Sequence, residues 1–293
     1  MKQGGIMKRL CILAVSALAL TGCTNLDAVR SISSDLTSAS SSWKVAGNEL
    51  YESCKRRYAI NDKIQSCEMS KASSEGLAAA TEVLRVYFAT LGAAAVETNF
   101  SVDPGIDDVS QAVRGVELIE DSQVEAVTGL AKVLSKLVLG AKRERVIRDL
   151  IDGEGDRVLG IINGLLKDHV AELLQDQLAT ERSALLVFYD KQLQQAGLEA
   201  GRDLRKICAD RLPSDRPALE FLIVQEFCER DALVQKRQDA LDAYEKSLDK
   251  AADAMRDLQS NKTRLTGKEF ARNLYKIGDE LKASVEDVRT AFN

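Results

Sequence analysis

The stretch Ile223–Leu258, IVQEFCERDALVQKRQDALDAYEKSLDKAADAMRDL, decides the architecture. Ile223, Phe227, Arg230, Val234, Arg237, Leu241, Tyr244, Leu248, Ala251, Met255 and Leu258 recur within it in alternating steps of four and three. A seven-residue repeat keeps one seam turned toward a neighbouring helix, which is the signal of a coiled coil. With Pro217 tolerated in its first turn, a helix running on to Ser260 is about 65 Å long. Thr266-Gly-Lys-Glu269 then fits a capping box. Phe270, Leu274, Ile277, Leu281, Val285, Val288 and Phe292 line one side of a last helix. The prediction is an antiparallel helical hairpin over 213–293. It either packs wholly on the rest of the chain or offers its remaining seam, Arg230, Val234, Arg237, Leu241, Tyr244 and Leu248, to another protein.

Upstream, 43–212 reads as a helical bundle, so the expected fold is all-α and elongated. The alanine-rich Ser73–Asn99 predicts a central buried helix ended by Asp103-Pro104-Gly105, and Ile106–Glu120 a short helix after it. Ser122-Gln-Val-Glu125 fits another capping box, opening a helix whose Val124, Val127, Ala131, Leu134, Val138 and Ala141 share a face. Asp152-Gly-Glu-Gly-Asp156 lacks the alternating carboxylates of a calcium loop and reads as a glycine stop between two helices. His169 falls at the border of the next apolar stripe, where a packing role is expected.

Composition agrees. Only 5% of the 293 residues are aromatic and three are proline, too few prolines for a loop-rich β fold, while 45% are hydrophobic, enough to bury a core. Forty basic residues stand against 45 acidic ones, a balance that argues against a nucleic-acid partner.

The first residues carry an address. Lys8 and Arg9 precede the uncharged Leu10–Leu20, and Leu20-Thr21-Gly22-Cys23 follows at once. The apolar run is shorter than the roughly 20 residues needed to span a bilayer, so 1–22 is read as a secretion signal. Leu20-Thr21-Gly22-Cys23 resembles the lipobox of bacterial lipoproteins. The resemblance implies cleavage before Cys23, a diacylglycerol and an acyl chain on that cysteine, and no other cofactor. Thr24 in place of an aspartate implies the outer membrane, facing the periplasm. Removal of Lys2, Lys8 and Arg9 with the signal leaves 37 basic residues against 45 acidic, about −8. Such a surface is repelled by anionic headgroups, so adhesion is expected to depend on the acyl chains. Residues 23–42, rich in serine, are expected to form a flexible tether. Alternatively Leu26, Val29 and Leu36 open a first helix.

Cys54, Cys67, Cys208 and Cys228 remain after Cys11 leaves and Cys23 is modified, and an even number in a secreted chain suggests two disulfides. Around the Asn61-Asp62 turn signal a helical hairpin sets Cys54 against Cys67 at matching heights. Cys208 and Cys228 flank the Pro213/Pro217 break less symmetrically. Free thiols and a metal site stay open, although no CxxC spacing occurs and the sole histidine is distant in sequence.

The motifs of serine hydrolases, zinc proteases, P-loops and dinucleotide sites are missing from the sequence. Glu52-Ser53 resembles the catalytic pair of helical lytic transglycosylases, but the Gly-Leu-Met-Gln of that family is missing. Asp107 and Asp108 suit a helix start without chemistry. The expectation is a lipid-anchored interaction or scaffold protein of an envelope assembly, bound to the membrane through its anchor and to a protein partner through helical surfaces. A peptidoglycan-type envelope enzyme with carboxylates assembled by the fold, and a membrane-interacting helical protein, are the alternatives.

Overall fold

The computed structural model describes residues 6–60, 66–96, 113, 119–137, 143–198, 203–209, 217–263 and 267–292, with side chains of the first range described from residue 26. The helices are α1 (Ile6–Ile60), α2 (Glu68–Ala95), α3 (Asp121–Leu134), α4 (Arg143–Gly160), a π-helical segment (Ile161–Val170), α5 (Ala171–Gln195), α6 (Leu204–Ala209), α7 (Ala218–Ser260) and α8 (Lys268–Phe292). Among the described residues there is no strand, and the all-α class holds.

The N-terminal segment departs from the expected tether. Ala28, Val29, Ile32, Leu36, Ala39, Trp43, Ala46 and Leu50 are all buried and follow one helical face, so 26–42 is part of α1 and of the core. The polar residues between them satisfy themselves locally. Thr37 Oγ1 donates to the Ser33 carbonyl at 2.7 Å, Ser40 Oγ to Leu36 at 2.9 Å and Ser41 Oγ to Thr37 at 3.3 Å. A hydroxyl bonded four residues back needs no water, which lets a serine-rich helix lie against apolar neighbours.

α4, the π segment and α5 run on without interruption, so Asp152–Asp156 is no stop. Gly155 is there for closeness: a Cβ on it would lie 2.9 Å from Gln259 Cδ on α7. The wider winding of the π segment is stitched from outside, its Gly164 carbonyl accepting from Gln123 Nε2 at 2.8 Å and its Leu166 carbonyl from the Tyr244 hydroxyl at 3.3 Å. Gln123 also closes the cap of α3, accepting from the Glu120 amide at 3.2 Å. The capping box is therefore Glu120 with Gln123, two residues before the one expected. Thr266, the Asn61-Asp62 turn, Asp107, Asp108 and most of Ile106–Glu120 lie outside the described residues.

Cross-helix contacts fix the polarity of the bundle. Asp35 meets Lys282 at 3.3 Å and Ser42 Oγ accepts from Arg289 Nε at 3.0 Å, so α8 runs parallel to α1. Trp43 Nε1 donates to Ser247 Oγ at 2.8 Å while Arg237 approaches Glu49 at 3.3 Å, so α7 runs antiparallel to α1. Lys250 pairs with Glu280 at 2.6 Å and Lys236 Nζ donates to the Thr290 carbonyl at 2.6 Å, which makes α7 and α8 the expected antiparallel hairpin. α2 is also antiparallel to α1, with Gly47 against Leu77 and Gly92 against Ser33. Lys167–Asp249 at 2.6 Å and Arg182–Asp231 at 2.7 Å set the α4–α5 rod antiparallel to α7.

The molecule thus has two chemically different ends. Residue 26, the C-terminal ends of α2, α3 and α7 and the N-terminal ends of α4 and α8 gather at the end nearer Cys23, hereafter proximal. Residue 60 marks the distal end, which holds both disulfides, Cys54–Cys67 and Cys208–Cys228, with Cα atoms 5.8 and 5.4 Å apart. One apolar core joins α1 to α8. Among the described residues the α7–α8 hairpin packs on the bundle, sharing its buried residues with α1 and α5.

Candidate functional site

The seam expected to await a partner is already occupied. Val234, Leu241, Tyr244 and Leu248 are buried inside the bundle. The Tyr244 hydroxyl is held on the Leu166 carbonyl, and burial pushes its ionisation well above the ordinary range. Arg237 turns inward to Glu49. Arg230 stays at the surface, paired with Glu226 at 2.7 Å and lying 6.0 Å over the Tyr189 ring. The heptad positions face α1, α5 and α8, which leaves nothing of the seam for another molecule beyond Arg230.

Beneath that seam is an ionic node that the sequence does not announce. Glu49 and Glu181, 4% and 1% exposed, both reach Arg56. Arg56 grips Glu181 with Nε and Nη2 at 2.5 and 2.9 Å and donates to Glu49 through Nη2. Two parallel N–H donors match the two carboxylate oxygens, the strongest geometry available to such a pair. Desolvation nonetheless outweighs the nearby guanidinium groups at Glu49 and holds its carboxyl above the usual range. A second node follows along α7, where Arg182 holds Asp231 at 2.7 and 2.9 Å and Arg205 approaches it at 3.5 Å. Glu49 and Arg56, seven residues apart, share a helical face in the sequence, but Glu181 carries no signal.

Above the first node a cavity of about 160 Å³ opens between α1, α5 and α7, lined by Arg56, Ala59, Leu185, Arg230, Leu233 and Val234. Its rim leads onto the outer face of α7, where Leu233 is 54% exposed and, beyond the Glu226–Arg230 pair on the same face, Leu219 and Leu222 are 55% and 62% exposed. Val187 on α5 and Tyr58 and Met69 beside the first disulfide are also exposed. Of the large apolar side chains exposed among the described residues, Tyr275 alone belongs to the proximal half. Tyr189 below this face is pushed up to about 12 by burial first and by its hydrogen bond to Glu226 second.

The remaining candidates fall into place around this surface. Ser53 is buried with Oγ on the Gln177 carbonyl at 3.5 Å, and Glu52 points out to Lys55 at 2.7 Å, so the two share no site. His169 is half-buried in the π segment, its Nε2 covered and without a hydrogen-bond partner. Among the described residues no group of three or more His, Cys, Asp or Glu could hold a metal ion. α2 is long and apolar enough to cross a membrane, yet 61% of its most apolar window is buried by its neighbours. Cys23 lies in α1, ahead of the described side chains. No protein-family model, no curated protein and no solved structure matches the chain.

Proposed function

We propose that the chain is a lipid-anchored outer-membrane protein facing the periplasm, moored through acyl chains on Cys23, and that it serves an envelope assembly as an interaction or scaffold component. The observation that carries the interaction reading is the concentration of exposed apolar side chains, Leu219, Leu222 and Leu233 on one face of α7 and Val187 on α5, with the adjoining cavity, at the end remote from Cys23. A monomer gains nothing by leaving such side chains in water, and grouped exposure of this kind marks contact surfaces. The mooring rests on the lipobox resemblance. α1 supports a rigid display of this face: from residue 26 to residue 60 it rises about 50 Å.

The buried acids Glu49 and Glu181 turn their oxygens to Arg56, which supports a structural role for that pair. The decisive experiment is photocrosslinking in cells from positions 222 and 233, with the buried position 241 as the control. A discrete adduct at the first two, lost on Leu219→Arg, is expected. Equal yields at all three positions, or none, would reject the surface. The mass of the N-terminal peptide of the mature chain, with fractionation of Cys23→Ser, tests the mooring separately.

A further inference from the structure

We propose that the proximal end of the bundle is a basic platform that seats on the anionic headgroup surface of the membrane, standing the molecule end-on; this rests on the reading of Cys23 as the lipid attachment point. α1 is continuous through residue 23, and its Leu26 and Ala28 already pack on the core. Three residues of helix rise only about 5 Å, so acyl chains on Cys23 would draw the bundle end against the headgroups.

Among the described residues, the charge at that end is opposite to that of the whole chain. Lys132 and Lys136 close α3, Arg145 and Arg148 lie in the first turns of α4, and Lys268 and Arg272 begin α8; all six are exposed. The acids among them are largely answered by neighbours: Asp149 lies 3.6 Å from Arg145, and Asp152 accepts from Lys262. Asp27 and Glu269 also stand at this end, as do Asp253 and Asp257 in the last turns of α7, where Arg256 pairs with Asp253 at 3.1 Å and Asn261 Nδ2 donates to Asp257 at 3.2 Å. The clustering runs against a composition in which acids outnumber bases. Because the field of a charged bilayer fades within about 10 Å, the platform feels it and the distal half does not. Laid flat, the acidic remainder would enter that field and be repelled, so its charge and that of the platform both favour an upright stance.

The test uses the Cys23→Ser chain from residue 23 onward, which keeps every described packed residue, floated with vesicles of phosphatidylcholine alone or mixed with phosphatidylglycerol. Binding to the anionic vesicles only, weakened by salt, is expected. Each reversal among Lys132→Glu, Lys136→Glu and Lys268→Glu should weaken it at least about fivefold, the change equivalent to about 1 kcal/mol per basic side chain at such a surface. Far-ultraviolet circular dichroism confirms that the variants fold. Equal flotation on both vesicles, none on either, indifference to the reversals, or displacement by inorganic phosphate at matched ionic strength would overturn the platform. A bare Cys23 in protein from cells would instead overturn the anchor, which the vesicle measurement does not probe.

Discussion

Trp43 shows what a single buried donor demands. Its ring is 1% exposed, its N–H rests on Ser247 Oγ at 2.8 Å, and that hydroxyl passes its own proton to the Tyr244 carbonyl at 2.6 Å. Ser247→Ala strands the indole donor, and a loss of about 1–3 kcal/mol is expected from urea unfolding followed by tryptophan fluorescence. Glu49 makes the pH-dependent counterpart. Its carboxyl binds its proton more tightly folded than unfolded, so the folded state holds more protons in the interval above 4.5. Its contribution to stability accordingly falls as pH rises from that value to the higher folded one, then stays level. Glu49→Gln should flatten this part of the stability–pH curve; melts across the interval with an unchanged slope would contradict the assignment. Neither residue was legible as a partner of the other elements. Glu49, Arg56 and Glu181 look like solvated charge in sequence, because the groups that bury them lie more than a hundred residues away.

At the scale of elements, periodicity was readable wherever apolar residues dominated, as in α7 and α8, whose seams pack as the heptad and its complement require. The serine-rich composition at the start of α1 points to a tether, whereas Val29, Ile32, Leu36, Ala39 and Trp43 within it keep the three-and-four spacing of a buried face. Leu36→Ala separates the two readings. In a tether it changes nothing, whereas in the core it should cost about 2–5 kcal/mol, measured from the urea midpoint. The glycines of 152–156 give a matched pair of outcomes. Gly153 has open space where a Cβ would go. Gly153→Ala should stabilise the rod by about 0.5–1 kcal/mol. Gly155→Ala must push aside the Gln259 side chain and its 3.0 Å bond to Asp156, so the same exchange two residues on should stabilise less than Gly153→Ala, read as a smaller rise in melting temperature. The exposed leucines of α7 were hidden for the opposite reason: Leu219, Leu222 and Leu233 sit off the heptad, where a sequence reader expects solvent-facing residues.

Over the whole molecule, spacing favours Cys54–Cys67 and leaves Cys208–Cys228 less well defined, and it carries no sign that both bonds fall at one end. Cys54→Ser with Cys67→Ser is expected to cost about 2–5 kcal/mol, read from melts of the oxidised wild type and the variant, and to leave the Cys208–Cys228 bond intact. The uneven placement of the two covalent links has a further effect. A sheaf tied at one extremity loosens from the other, so amide protons near residues 26–35 and 268–275 should trade for deuterium well before those flanking residues 54 and 228.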